Sequence, residues 1–171
     1  MFANAIIWFV NEPAVFCKGK LRNTLIGSVW NYIGAIKQWK LYQHQYESFI
    51  SIADLHAMTS GNNGNSIDSI HTAKQLVACG IDLEKAILFR QSEIGQILKL
   101  YWRLCCETST SSLAGMSHLK AKLSASSFAS VGLLSYPVLM AADILALKAS
   151  VVPVGSDQIQ HLEFTRTFRW Q

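Results

Sequence analysis

A chain in which strand and helix patterns alternate predicts an α/β fold, a parallel sheet with helices on both faces. Three observations point there. Short apolar runs fall at Ala5–Val10, Ser48–Ala53, Ala86–Phe89 and Val151–Val154. Stretches of helical periodicity separate them. Polar or turn-forming residues, among them Asp54, His56 and Gly155, lie just past the carboxyl ends of two runs. In this architecture ligands bind outside those ends, which places Asp54, His56, Gly155, Asp157 and Gln158 in one neighbourhood.

The first run, rich in β-branched and aromatic residues and bounded by Asn and Pro, fits a buried strand. It lacks a preceding Lys or Arg and small cleavage-site residues, so it does not read as a signal peptide. Residues 11–30 show no clean period. From Asn31 to about Gln45, Ile33, Ile36, Trp39 and Leu41 or Tyr42 recur at helical spacing around Lys37 and Lys40. Ser48–Ala53 is the next strand. A loop of Gly, Asn and Ser over 60–66 lacks the Lys-Ser/Thr ending of a phosphate loop and reads as a connector. In 67–79 one face carries Ile67, Ile70, Ala73, Leu76 and Val77, and Gly80 sits where a left-handed residue closes a helix. Ser92 opens a helix to about Cys105, and 107–130 is Ser- and Thr-rich with weak periodicity. A long helical pattern, Val131–Lys148, leads to the last strand and to a new helix from Ser156.

With 171 residues the chain suits one core. Half of its residues are hydrophobic and 15% are charged, which excludes the disordered and disulfide-scaffold classes. The net charge of +4 comes from scattered Lys and Arg and singles out no polyanionic partner. Cys17, Cys79, Cys105 and Cys106 form no C-x-x-C pair, which favours a reduced, cytoplasmic setting without a structural metal. The longest apolar stretch, Val131–Leu147, contains Pro137 and Asp143, which argues against a membrane span.

Asp143 within this apolar helix is the residue that most demands an explanation, because an unserved buried carboxylate is costly. Either nearby backbone or a core hydroxyl satisfies it, or it waits for a donor from a ligand, with Met140 one turn earlier as a polarisable wall against an aromatic ring. Gly155-Ser156-Asp157-Gln158 joins a strand end to a helix start. It suits a nucleotide or carboxylate, or is an ordinary cap made by Ser156 or Asp157. His56 reads as ligand-facing or as a polar strand end, and His161, mid-helix, as facing solvent.

The string Val131-Gly132-Leu133-Leu134-Ser135-Tyr136-Pro137-Val138-Leu139-Met140-Ala141-Ala142-Asp143-Ile144-Leu145, followed by Val152-Pro153-Val154-Gly155-Ser156-Asp157-Gln158-Ile159-Gln160-His161-Leu162-Glu163, closely resembles the bacterial-type tryptophanyl-tRNA synthetases. The likeness continues upstream through Phe89-Arg90-Gln91-Ser92, residues 52–59 and Asn31-Tyr32-Ile33-Gly34-Ala35-Ile36, so that residues 31–166 are covered in order. The resemblance implies a Rossmann-like class I catalytic domain over 31–171, incomplete, behind a diverged segment 1–30 that holds the first strand. It implies ATP-dependent activation of L-tryptophan to tryptophanyl adenylate and transfer to tRNA(Trp), with Mg2+ accompanying ATP and no tightly bound cofactor. By the same resemblance Asp143 accepts the indole N–H, Met140 lines the indole pocket, Tyr136 and Gln158 hold the ammonium and carboxylate, and His56 lies near the amino acid. Gly155, Ser156 and Asp157 fall beside the adenosine ribose. The family generally forms homodimers, and that expectation carries over.

Two ATP-handling signatures depart from the family pattern. Thr24-Leu25-Ile26-Gly27 is separated from Asn31 by Ser28-Val29-Trp30, so Thr24, Gly27 and Asn31 form a degenerate first signature. The Lys-Met-Ser-Lys-Ser-like loop and the helical anticodon-binding region are expected beyond Gln171. Loss of one preorganised charge stabiliser costs about 10² to 10³ in rate. Impaired catalysis, or a non-catalytic module that keeps the fold, is therefore the alternative expectation. The related tyrosine enzyme would need a hydroxyl partner that the Met140-to-Asp143 context does not offer.

Overall fold

A computed structural model of the chain describes residues 5–10, 37–59, 68–117, 119–120, 124, 130–155 and 158–168, with the backbone alone at 8–10. Strand β1 (Ala5–Val10) pairs in parallel with β2 (Glu47–Ile52), in register from Ala5 opposite Glu47 to Val10 opposite Ile52. Strand β2 pairs in parallel with β3 (Ala86–Arg90). Parallel neighbours need crossovers, and helices α1 (Lys37–Tyr42) and α3 (Ser69–Ala78) lie in the two connections, α3 preceded by the single turn α2 (Asp54–Met58). Downstream come a 3-10 turn (Gln91–Glu93), α4 (Gly95–Glu107), α5 (Thr110–Ala114), α6 (Val131–Ala146) and α7 (Ile159–Thr167).

Successive strand side chains point to opposite faces, so β1 and β2 feed two cores. On one face Ile6 and Ile50 pack with Trp39 of α1 and Leu76 of α3. On the other, Ala5, Ile7 and Phe49 meet Met140 and Ile144 of α6. A third core joins α6 to α4 and α5 through Val138, Leu139, Ile97, Leu104 and Leu113. The sheet thus carries helices on both faces, as the alternating pattern predicts.

Several elements differ from expectation. The run Val151–Val154 makes an isolated parallel bridge, Ile6 with Val151, rather than a strand. Pro153 has no N–H for a ladder, which shortens the pairing. That short contact is nonetheless tight, with Ser150 N–H donating to Ala5 O at 2.9 Å and its hydroxyl to the same oxygen at 3.0 Å. Helix α3 buries Thr72 and Leu76 and leaves Ile70 70% exposed, so the apolar face expected through Ile70 and Val77 is rotated away from the sheet. Ser92 does not open α4: it lies in the 3-10 turn, because its hydroxyl is taken by Asp54. Within the weakly periodic Ser/Thr region a short helix forms, α5, whose first turn is capped by Ser109 accepting from Ser112 N–H. Asn31–Ile36, the 60–66 loop and the onset of the last helix at Ser156 fall outside the described residues.

Helices α3 and α6 end alike. After α3, Gly80 has φ +96°, its N–H donates to Val77 O, and Ile81 N–H donates to Leu76 O. After α6, Lys148 has φ +49°, its N–H donates to Leu145 O, and Ala149 N–H donates to Ile144 O. Both are left-handed terminations of the Schellman type, one on glycine and one on lysine.

Candidate functional site

Helix α6 lies under the sheet with ten consecutive residues buried, Ser135 to Ile144. Tyr136, Met140 and Asp143 are spaced four and three apart and so share one face of it. Met140 packs with Ala5, Ile7 and Phe49 at the sheet, in the same cluster as Val154 and Leu162.

Asp143 is fully buried. Its Oδ2 accepts from Gln91 Nε2 at 2.8 Å, while Oδ1 has no hydrogen-bond partner among the described residues. Burial drives its carboxyl up from the ordinary 3.8 to about 8, against the smaller opposing effect of the Gln91 hydrogen bond. An N–H offered to Oδ1 would reverse part of that desolvation cost, so the site favours a ligand that brings a buried donor.

Gln91 arrives from the end of β3 and is itself fully buried. Its Nε2 also lies 2.9 Å from His56 Nδ1, and its Oε1 lies 3.4 Å from the His56 backbone N–H. His56, on the turn after β2, is 9% exposed, and its Nδ1 is 3.9 Å from Asp143 Oδ2, beyond hydrogen-bonding distance. The two sequence-predicted residues His56 and Asp143 are therefore brought together, with Gln91 between them. Gln91 was assigned no role from the sequence. The available signal was its position directly past the carboxyl end of a strand.

Asp54 is not a free ligand group. Its Oδ1 accepts from Leu55 N–H and Ser92 N–H, both at 3.0 Å, and its Oδ2 from the Ser92 hydroxyl at 2.5 Å. Its part is to lock the turn after β2 to the turn that carries Gln91.

Tyr136 is buried, and its hydroxyl lies 2.8 Å from His161 Nε2. His161 is 0% exposed, which corrects its expected solvent-facing placement: α7 turns it inward onto α6, and the Tyr136 hydroxyl serves its ring. Gly155 is exposed, and its carbonyl accepts from Gln158 N–H at 2.9 Å as α7 begins. The Gln158 side chain makes no capping bond to α7. Ser156 and Asp157, with Thr24, Gly27 and Asn31, lie outside the described residues. Among the described residues an open cavity of about 450 Å³ is lined by Ile144, Leu145, Lys148 and Ala149, past the C-terminal end of the Tyr136–Asp143 stripe.

The chain carrying this site is similar to known proteins in both sequence and fold. The family model of tRNA synthetases class I (W and Y) matches residues 30–169. The chain belongs to this family. A tryptophan–tRNA ligase of Wigglesworthia glossinidia brevipalpis is 43% identical over 145 residues, 83% of this chain and 43% of the relative. One from Synechocystis sp. is 45% identical over 139 residues, 80% of this chain and 41% of the relative. Among solved structures, the tryptophanyl-tRNA synthetase of Campylobacter jejuni complexed with ADP and tryptophan superposes with a TM-score of 0.81 at 36% identity, over 95% of this chain and 48% of that one. A tyrosyl-tRNA synthetase of Archaeoglobus fulgidus, complexed with L-tyrosine, shares the fold at a TM-score of 0.65 and 17% identity. This class I synthetase chain spans less than half the length of the curated relatives it matches.

Proposed function

We propose that this chain carries the amino-acid-recognising and nucleotide-binding part of a tryptophan–tRNA ligase. The activity is attack of the tryptophan carboxylate on the α-phosphorus of ATP, giving tryptophanyl adenylate and pyrophosphate, followed by transfer of the aminoacyl group to the 3′ end of tRNA(Trp). The observation that carries this reading is Asp143, buried and with Oδ1 unpartnered. An indole supplies what that oxygen lacks, an N–H on an apolar ring, whereas phenylalanine would leave the acceptor unserved.

The roles follow the likeness to the family. Asp143 accepts the indole N–H, and Met140 supplies the apolar wall. Tyr136 and Gln158 hold the ammonium and carboxylate, and His56 borders the bound amino acid. Gly155, Ser156 and Asp157 flank the adenosine ribose, and Thr24, Gly27 and Asn31 handle the phosphates. Magnesium enters with ATP as its complex and neutralises phosphate charge. The protein's own contribution is to place the two substrates in line and to stabilise developing charge. A homodimer working in the cytoplasm is part of the same proposal.

Exchange of labelled pyrophosphate into ATP tests this reading directly. Exchange that depends on tryptophan and not on tyrosine supports it, and abolition by Asp143→Ala assigns the acceptor. Equal binding of phenylalanine and tryptophan to the folded chain would overturn it. One observation favours a second reading, binding without catalysis: Ser28-Val29-Trp30 stands between Gly27 and Asn31 and displaces one phosphate-handling residue from the others. Tryptophan-selective binding without exchange selects that reading.

A further inference from the structure

Gln91 Nε2 stands 2.8 Å from Asp143 Oδ2 and 2.9 Å from His56 Nδ1. A carboxamide nitrogen has two hydrogens and can serve both atoms at once. With the nitrogen on the Asp143 side, the amide oxygen faces the His56 backbone N–H. His56 Nδ1 lies within reach of both amide atoms, 2.9 Å from Nε2 and 3.2 Å from Oε1, so the amide holds the ring in either tautomer. The His56 backbone N–H, 3.4 Å from Gln91 Oε1, closes the arrangement. The amide has little room to swing, because the next residue, Ser92, is held to Asp54 by both its backbone N–H and its hydroxyl.

We propose that Gln91 is the specificity-determining positioning residue of this site: with one amide it ties down Asp143 Oδ2 and His56 Nδ1, and so leaves Oδ1 as a single acceptor for one ring N–H. The proposal rests on the reading of Asp143 as the indole acceptor and adds to it the group that makes the acceptor selective. A cation in place of Gln91 would neutralise the carboxylate and reduce its demand for a ligand donor. A neutral donor that engages one oxygen leaves the other unserved until an N–H arrives. An apolar side chain would free the carboxyl to rotate, and the geometric discrimination would fall away.

The test compares L-tryptophan with its isostere L-3-(benzothiophen-3-yl)alanine, in which sulfur replaces the ring N–H. Dissociation constants are measured by calorimetry on folded wild type, Gln91→Met, Gln91→Glu and Asp143→Asn. In wild type, tryptophan binds more tightly than the isostere by about 10² or more. In Gln91→Met that ratio falls about tenfold, which corresponds to the loss of one buried hydrogen bond, while affinity for the isostere stays nearly constant. Gln91→Glu places a second carboxyl against Asp143 and also lowers the ratio. A ratio unchanged in the folded Gln91 variants overturns the role of Gln91 alone. Absence of any preference in wild type, or an Asp143→Asn variant as selective as wild type, overturns the underlying reading instead.

Discussion

Asp143 sits where water does not reach it, and its proton therefore has a thermodynamic consequence. Its folded-state pKa of about 8 lies above the ordinary 3.8, so between those values the native chain holds a proton that the unfolded chain releases. Stability should fall as pH rises through that window and level off above about pH 8, by up to about 1.4 kcal/mol per pH unit from this group. Asp143→Asn removes the dependence. Urea midpoints of wild type and variant at pH 5, 6, 7 and 8 check this, and parallel pH profiles would refute it. His161 allows a second measurement. His161→Phe removes the 2.8 Å bond to the Tyr136 hydroxyl and should cost about 1–3 kcal/mol. Adding Tyr136→Phe should return part of that loss in a double-mutant cycle. At this scale the sequence exposed Asp143, because a carboxylate in an apolar helix is conspicuous. It did not expose His161, whose burial depends on how α7 docks against α6, a tertiary contact that spacing along one helix cannot encode.

The paired helix ends test the elements. At Gly80 a Cβ would stand 2.7 Å from the Lys40 side chain and would also meet a left-handed backbone, so Gly80→Ala should destabilise by about 1 kcal/mol or more. Lys148→Gly relieves the same conformation at the end of α6 and should stabilise by up to about 1 kcal/mol. Thermal denaturation of both variants reads the opposite signs. Legibility differs between the two positions for a physical reason. Glycine announces a left-handed residue, so the close of α3 could be read in advance. Lysine announces nothing, and the helical pattern was expected to run on to Lys148 where the helix stops at Ala146. The face of α3 was misread in a related way, since Ile70 carries the periodic signal yet points to solvent while Thr72 lies against the core.

At the scale of the whole molecule, the alternation of strands and helices was sufficient to specify a parallel sheet covered on both faces, and the Val131–Glu163 string was sufficient for the family. The connection between Gln91, His56 and Asp143 was not legible, because it joins the ends of two strands to a helix more than 50 residues further on. Among the described residues the bridge from β1 to Val151 joins the most distant parts of the sequence, with Ser150 bonded to a residue 145 positions before it. During synthesis at roughly 5–20 residues per second, one edge of β1 waits about 7–30 s after emergence for that partner. A nascent chain arrested at Ala146 should accordingly show β1 amides that exchange faster than those of the released chain, and equal protection would mean that the edge is sealed by something other than Val151. Among the described strands β1 is made earliest and closed last, and through that interval a chaperone or a second copy could readily capture it.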